Sequence, residues 1–350
     1  MPILFDIPEE VLDLIGDLLD NREVANIVLT CKHLLRRFSP LLWKSVILQV
    51  RPQKQLIPID QLQARAQWVH SLQCRGSLPF EYYNVVFPTL SELTLESSPT
   101  RTNCNRTAQE YNWACLVRHN PTIKHVSLHC PNGLNRDTSE FWVALSTSLY
   151  NPKRLKVSGS GVHSFSTSDQ ELFWRAVSKF QEVDYGGSDQ MGGGRHNRVD
   201  FRRLARLSYM SKDWLGNLYA QLSWFSRCHA LTRLRWSHPS GYFPCDDFIE
   251  LLKQATWPLL DDLALERVMH GDEDIAVAIR FMPPMKQFSL QAWSFGPLSF
   301  DDLRMRHFGT LRSLFLASCE GFTSRMALEV LQNCSLLEVF GARNIAVVDL

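Results

Sequence analysis

Apolar side chains recur along most of this chain in one short register: an apolar residue, two others, an apolar residue, one other, then a third apolar residue. The clearest copies are LSELTL from Leu90, LTRLRW from Leu231, LDDLAL from Leu260 and LRSLFL from Leu311. Weaker copies begin at Val69, Ile123, Phe180, Leu204, Met285 and Leu337, with a degenerate PKRLKV at Pro152. Apolar residues two apart, flanked by polar ones, are the pattern of a strand with one buried face. Most spacers carry a segment of helical period. In DDFIELLKQATWPLLDDLAL, Phe248, Leu251, Leu252 and Ala255 share one helical face ahead of Pro258 and the strand at Leu260 to Leu265. Comparable helices are predicted over Ala108 to His119, Phe141 to Leu149, Leu172 to Lys179, Trp214 to Phe225, Ile275 to Phe281 and Arg325 to Leu331.

The copies begin about 27 residues apart on average, inside the range of leucine-rich repeats. Strand and helix alternate, so the predicted fold is α/β, an irregular leucine-rich-repeat solenoid of about eleven units over residues 69–350. A single unit cannot bury its own apolar face; neighbours stack, share one core and curve into a horseshoe. A doubly wound sheet also alternates strand and helix, but its strands need no common register. Two segments interrupt the rhythm, Ser97 to Thr107 and Tyr185 to Asn197, and their polar or glycine-rich composition predicts projecting loops.

The first fifty residues follow another pattern. Val11, Leu12, Ile15, Leu18 and Leu19 form one helical stripe, opened by Pro8 with Glu9 and Glu10 in the first turn. A second stripe, Val24, Ile27, Val28, Cys31, Leu34, Leu35 and Phe38, predicts a helix or a closely joined pair ending before Pro40. Residues 1–50 then form a small helical module with more apolar surface than it can conceal, and residues 51–68 connect it to the repeats.

The module resembles the F-box family. The residues that carry the resemblance are Ile7-Pro8-Glu9-Glu10-Val11-Leu12 with Ile15, then Leu18-Leu19, Leu29-Thr30-Cys31-Lys32-His33-Leu34, and Leu42-Trp43-Lys44-Ser45-Val46. Ile7 stands for the usual Leu, and Leu34 stands where an aromatic is common. With the repeats behind it, the chain is similar in layout to an F-box/leucine-rich-repeat protein. That resemblance implies that the module docks on the Skp-type adaptor of a cullin-RING ubiquitin ligase through Ile7, Pro8, Val11, Leu12, Ile15, Leu34 and Trp43, while the repeats hold a protein substrate. An alternative is that the helices only cap the first repeat of a protein-interaction scaffold.

Charge and composition narrow the function classes. Lys and Arg number 37 against 36 Asp and Glu, so there is no overall basic excess to draw the chain to a nucleic acid or an anionic membrane. The nine cysteines include no C-x-x-C pair, and the amino terminus has no basic leader; free thiols and a cytoplasmic or nuclear location are expected. No nucleophile elbow, P-loop or H-E-x-x-H motif occurs, and His125 and His129 on one strand stand about 13 Å apart, too far for joint metal ligation. No catalytic residue, metal or cofactor is expected; a divergent active site built from loops is the remaining enzymatic reading.

Strand alternation also places a binding face. If the first, fourth and sixth repeat positions point inward, the third, fifth and seventh project onto the concave surface. These include Arg154, Lys156, Glu182, Asp184, Arg206, Arg233, Arg235, Asp262 and Glu266. Arg206, Arg233 and Arg235 are expected to form a positive patch that selects a protein partner by charge.

Overall fold

The computed structural model describes residues 7–50, 55–97, 106–130, 139–159, 167–187, 199–211, 218–237, 245–267, 271–291 and 294–343. The two segments expected to be loops lie largely outside them.

Three helices open the chain: α1 (Glu9–Leu18), α2 (Asn21–Val28) and α3 (Lys32–Trp43). A capping box starts α2, with Asp20 Oδ1 accepting from the Arg22 and Glu23 amides and the Asp20 amide donating to Glu23 Oε2, each at 2.8 Å. The helix expected to stop before Pro40 runs through it to Trp43. Proline removes one backbone donor, but Leu41 and Leu42 beyond it pack on the module's core and hold the last turn in place. That core is small: Leu12, Val24, Val28, Leu34 and Phe38 are its buried members. Gly16 lets α1 lie close on α3, since a Cβ there would stand 2.7 Å from Leu41 Cδ1.

Behind the module the chain builds one sheet of twelve parallel strands in strict sequence order. The strands are β1 (Ser45–Gln49), β2 (Ser71–Arg75), β3 (Glu92–Glu96), β4 (His125–His129), β5 (Arg154–Ser158), β6 (Glu182–Gly187), β7 (Arg206–Ser211), β8 (Arg233–Ser237), β9 (Asp262–Glu266), β10 (Gln287–Gln291), β11 (Ser313–Ala317) and β12 (Val339–Arg343). Between them come α4 (Ile59–Arg65), α5 (Arg106–His119), α6 (Ser139–Ser148), α7 (Thr167–Val177), α8 (Leu218–Phe225), α9 (Cys245–Lys253), α10 (Asp272–Phe281), α11 (Pro297–His307) and α12 (Ser324–Asn333). A doubly wound sheet must reverse its strand order at a switch point; here every strand pairs with its sequence neighbours, so the fold is an α/β solenoid.

The backbone repeats as strictly as the side chains. The carbonyl at the second position of a repeat accepts two amides from the next repeat. Ser91 O takes Lys124 N and His125 N, Lys153 O takes Gln181 N and Glu182 N, and Thr232 O takes Asp261 N and Asp262 N. Registers align accordingly, Glu92 with His125, Arg154 with Glu182 and Arg233 with Asp262.

Two expectations change. The sheet begins not at the Val69 repeat but one unit earlier: Trp43-Lys44-Ser45-Val46-Ile47-Leu48 is itself a copy of the register, with Ser45 paired to Ser71. Residues 1–50 therefore combine the helical module with the first repeat, and residues 51–68 contain α4 within that repeat rather than a bare connection. The second change is α11, which has no counterpart among the helices predicted from periodicity. Its apolar residues show little helical segregation because Ser299, Asp302 and His307 are buried along with Phe300 and Leu303.

The sheet's inward positions and the helices share one continuous core from Val46 to Cys334. Aromatic rings form its central stretch. Trp142 meets Phe141 and Phe173 edge-on at 5.2 and 4.9 Å, and Phe225 links Trp224 to Trp236 at 4.4 and 5.0 Å.

Candidate functional site

Two surfaces stand out, one on the helical module and one on the face of the sheet turned away from the helices.

On the module, α1 is apolar on two sides. Leu12 and Gly16 are buried in the small core, and Glu9, Asp13 and Asp17 border it with salt bridges to α3 and the residue after it: Arg37 reaches Glu9 at 3.3 Å and Asp13 at 2.6 Å, and Lys44 stands 4.0 Å from Asp17. Helical spacing puts Val11, Leu14 and Leu18 on the opposite side, where they are 42%, 66% and 85% exposed. Leu29, after α2, is 84% exposed, and Leu35 on α3 is also open.

The expected docking residues therefore divide. Pro8 and Val11 are exposed, and Ile7 and Ile15 are half-buried. Leu12 and Leu34 are interior residues that hold the module together and cannot be contacts on its outside. Trp43 belongs to the solenoid: it packs on the large core, with the Arg65 guanidinium 4.8 Å above its ring. Leu14 and Leu29 lie outside the expected set, and Leu18, expected on one stripe with Leu12, faces out while Leu12 faces in. The spacing of Val11, Leu14 and Leu18, three and four apart, is the signal that identifies a second stripe.

On the sheet, the projecting positions lie where alternation puts them, but the charges do not form the expected arginine patch. Arg154 reaches Glu182 at 3.3 Å and Asp184 at 3.9 Å, Arg206 leans on the same Glu182 at 3.8 Å, and Arg233 is ion-paired to the buried Asp262. Strands about 4.8 Å apart bring unlike charges into reach, so Arg154, Arg206 and Arg233 are answered by carboxylates on neighbouring strands. Among the described residues, no ion pair engages Lys156 or Arg235. Lys156 and Arg235 are exposed, as is Glu266.

Two hollows mark this face. The larger, about 680 Å³, lies over β3 to β7 and counts Glu92, Lys153, Arg154, Lys156, Glu182 and Arg206 among its lining residues. Its ionised side chains are four cations and two carboxylates, with His125 beside Glu92 at 3.6 Å. The smaller, about 230 Å³, includes Arg235, Asp262, Glu266 and the exposed Phe315, and carries the opposite balance.

His125 and His129 lie on this same face, His125 against Glu92 and His129 Nδ1 3.1 Å from Ser158 Oγ. No group of three metal-ligating side chains occurs among the described residues. Described cysteines are free thiols, five of them buried, and burial pushes the Cys74 thiol up to about 12, away from thiolate chemistry at neutral pH. No helix among the described residues is long and apolar enough to cross a membrane.

Comparison with protein-family models gives no match, and comparison with curated proteins gives none. Among solved structures, the chain is similar to one titled "Crystal structure of TLR13-ssRNA13 complex", at 17% sequence identity and a TM-score of 0.47. The similarity covers 88% of this chain and 40% of that one, so this chain spans less than half the length of that relative.

Proposed function

We propose that this chain is a non-catalytic substrate-recognition subunit of a cullin-RING ubiquitin ligase, its N-terminal helices binding a Skp-type adaptor and its solenoid holding a protein substrate. The observation that carries the reading is the outward stripe of α1. Val11, Leu14 and Leu18 are apolar, exposed and turned away from a core that the module has already completed with Leu12 and Leu34. A helix apolar on both sides has a second partner to meet, and an amphipathic helix laid in an apolar groove is a recurrent way to meet it. The sequence resemblance supplies the partner. The receptor's contribution is proximity: a substrate held on the solenoid presents its lysines to the charged enzyme at raised effective concentration.

A scaffold whose helices serve only as a cap is the second reading, favoured by the way α3 leads directly into β1 and by Trp43, which packs on the solenoid core. The two separate in one experiment: co-expression with the adaptor, comparing the full chain with its Leu14→Asp/Leu18→Asp variant. The receptor reading expects capture by the unaltered chain and loss of at least about tenfold in affinity by a variant of unchanged melting temperature. Absence of capture by the unaltered chain leaves the scaffold.

A further inference from the structure

The open face of the sheet is sorted by charge, and the sorting depends on which cations already have partners. Glu182 and Asp184 are taken by Arg154 and Arg206, and Asp262 by Arg233. Lys153, one residue before the strand position of Arg154, and Lys156 both line the larger hollow. Both are exposed, and among the described residues neither is ion-paired. In register, Lys156 lies between Ser127 and Asp184, and that aspartate is already engaged by Arg154. Two lysines outside the described ion pairs thus line a recess whose lining residues include four cations against two carboxylates. A recess focuses field lines, so the potential there exceeds what the nearly neutral chain suggests.

Resting on the receptor reading, and naming the class of segment that the solenoid would hold, we propose that the hollow over β3 to β7 binds an acidic, carboxylate-bearing peptide segment of the partner protein, with Lys153 and Lys156 as its principal ionic contacts. A long polyanion fits this face poorly. A nucleic-acid backbone gains affinity from many successive phosphate contacts, whereas here Glu92, Glu182, Asp184, Asp262 and Glu266 interrupt the cations along the strands. A short acidic segment can occupy the hollow and end before the acidic side of the face, where Phe315 offers an apolar contact instead.

The test uses the full chain and a fluorescein-labelled decapeptide of alternating Glu and Ser, titrated by anisotropy at low and high salt. Lys153→Glu/Lys156→Glu should weaken binding by about tenfold or more and flatten its salt dependence. The control Lys179→Glu/Arg325→Glu makes the same charge change at exposed positions off this face and should alter binding by less than about twofold. Equal weakening by both variants, or no binding by the unaltered chain, overturns the proposal. So does a phosphoserine version of the peptide that binds where the Glu version does not, which would move the anion from carboxylate to phosphate. An oligothymidylate that binds as tightly as the peptide, through the same lysines, would assign the hollow to nucleic acid and overturn it too. Adaptor capture is read on the same variants: if the peptide result fails while capture persists, the hollow is misassigned and the receptor reading stands. If capture fails while the peptide still binds, the reverse holds.

Discussion

The helical front and the stack behind it hide apolar side chains in different ways. In the stack, each strand gives two inward residues to a core that continues into the next repeat, so burial accumulates with every added unit. Among the described residues the front has five buried side chains, and its first helix carries a further row of apolar residues that none of them covers. A repeat gains its partner from the next repeat; the front keeps an apolar face that no described residue covers. In such a molecule, stability and recognition can be altered separately, and substitutions on the two sides of α1 should show it.

The largest effect is expected inside the front. Leu12→Asp puts an unpaired carboxylate among Val24, Val28, Leu34 and Phe38, at a local cost on the order of 4 kcal/mol, enough to disorder α1 to α3. Hydrogen exchange should show fast amides across α1 to α3 and unchanged protection in β4 to β11. Loss of protection in those strands would mean that front and stack fold as one unit. By contrast, Leu18→Asp, on the side of α1 away from the core, should change stability by less than about 0.5 kcal/mol.

Next comes the centre of the stack. Trp142→Ala empties an edge-on contact with Phe141 and Phe173, for about 3–5 kcal/mol, read as a lower urea midpoint for the strand signal. Because repeats are coupled mainly to their neighbours, the loss should be greatest around β4 to β6 and weaker at β11. A uniform loss would argue for stronger long-range coupling than nearest-neighbour stacking supplies.

A smaller effect lies at the junction of two repeats. Asp272, the first residue of α10, caps the next helix rather than its own: its Oδ1 accepts from the Gly296 and Ser299 amides at 2.8 and 3.0 Å, and its Oδ2 from Leu298 at 3.0 Å. Asp272→Ala should cost about 1–2 kcal/mol. Burial raises this carboxyl, but the Ser299 side chain and the three amides outweigh it and leave it below its ordinary value. The folded state therefore favours the ionised form. Its stabilisation is present above the ordinary carboxylate range and is lost as pH falls through the lowered value. Acid should therefore close the gap in melting temperature between the unaltered chain and the Asp272→Ala variant.

The smallest is a histidine effect. His307 is buried at the end of α11, where the Met285 amide donates to Nδ1 at 3.3 Å and Nε2–H donates to Ile279 O at 3.1 Å. Protonating Nδ1 would set a donor against a donor. Burial lowers its affinity for a proton, the Ile279 bond opposes that, Arg306 adds to it and Asp302 opposes it, with a net lowering. In the window between the lowered value and about 6.5, the unfolded chain binds more protons than the folded one, so stability falls as pH drops below about 6.5. His307→Gln, which can keep one acceptor and one donor, should flatten the melting-temperature profile between neutral pH and the lowered value; an unchanged slope would place the titration elsewhere.

Much of the stack is legible in the residues themselves. Two-residue alternation inside the register specifies which side chains point inward, and Leu93, Leu95, Leu263 and Leu265 are buried as it implies. The Trp43 repeat escapes a reading by pattern because its tryptophan also ends a helix, and a residue serving two elements satisfies either pattern. α11 escapes because polar residues occupy part of its buried side, with Asp302 paired to Arg280 and His307 bonded through both nitrogens.

The sequence by itself determined the α/β alternation, the repeat length and the inward and outward sides of every recognised strand, because these follow from backbone periodicity and need no knowledge of a neighbour. Only the tertiary structure decided which side of α1 faces its core, since a helix with two apolar stripes can be turned either way until Phe38 and Leu41 meet Gly16. It also decided which cations remain free. Arg206 and Arg233 read as a patch along the chain, but stacking sets carboxylates of adjacent strands against them, and a charge is neutralised by what lies nearest in space.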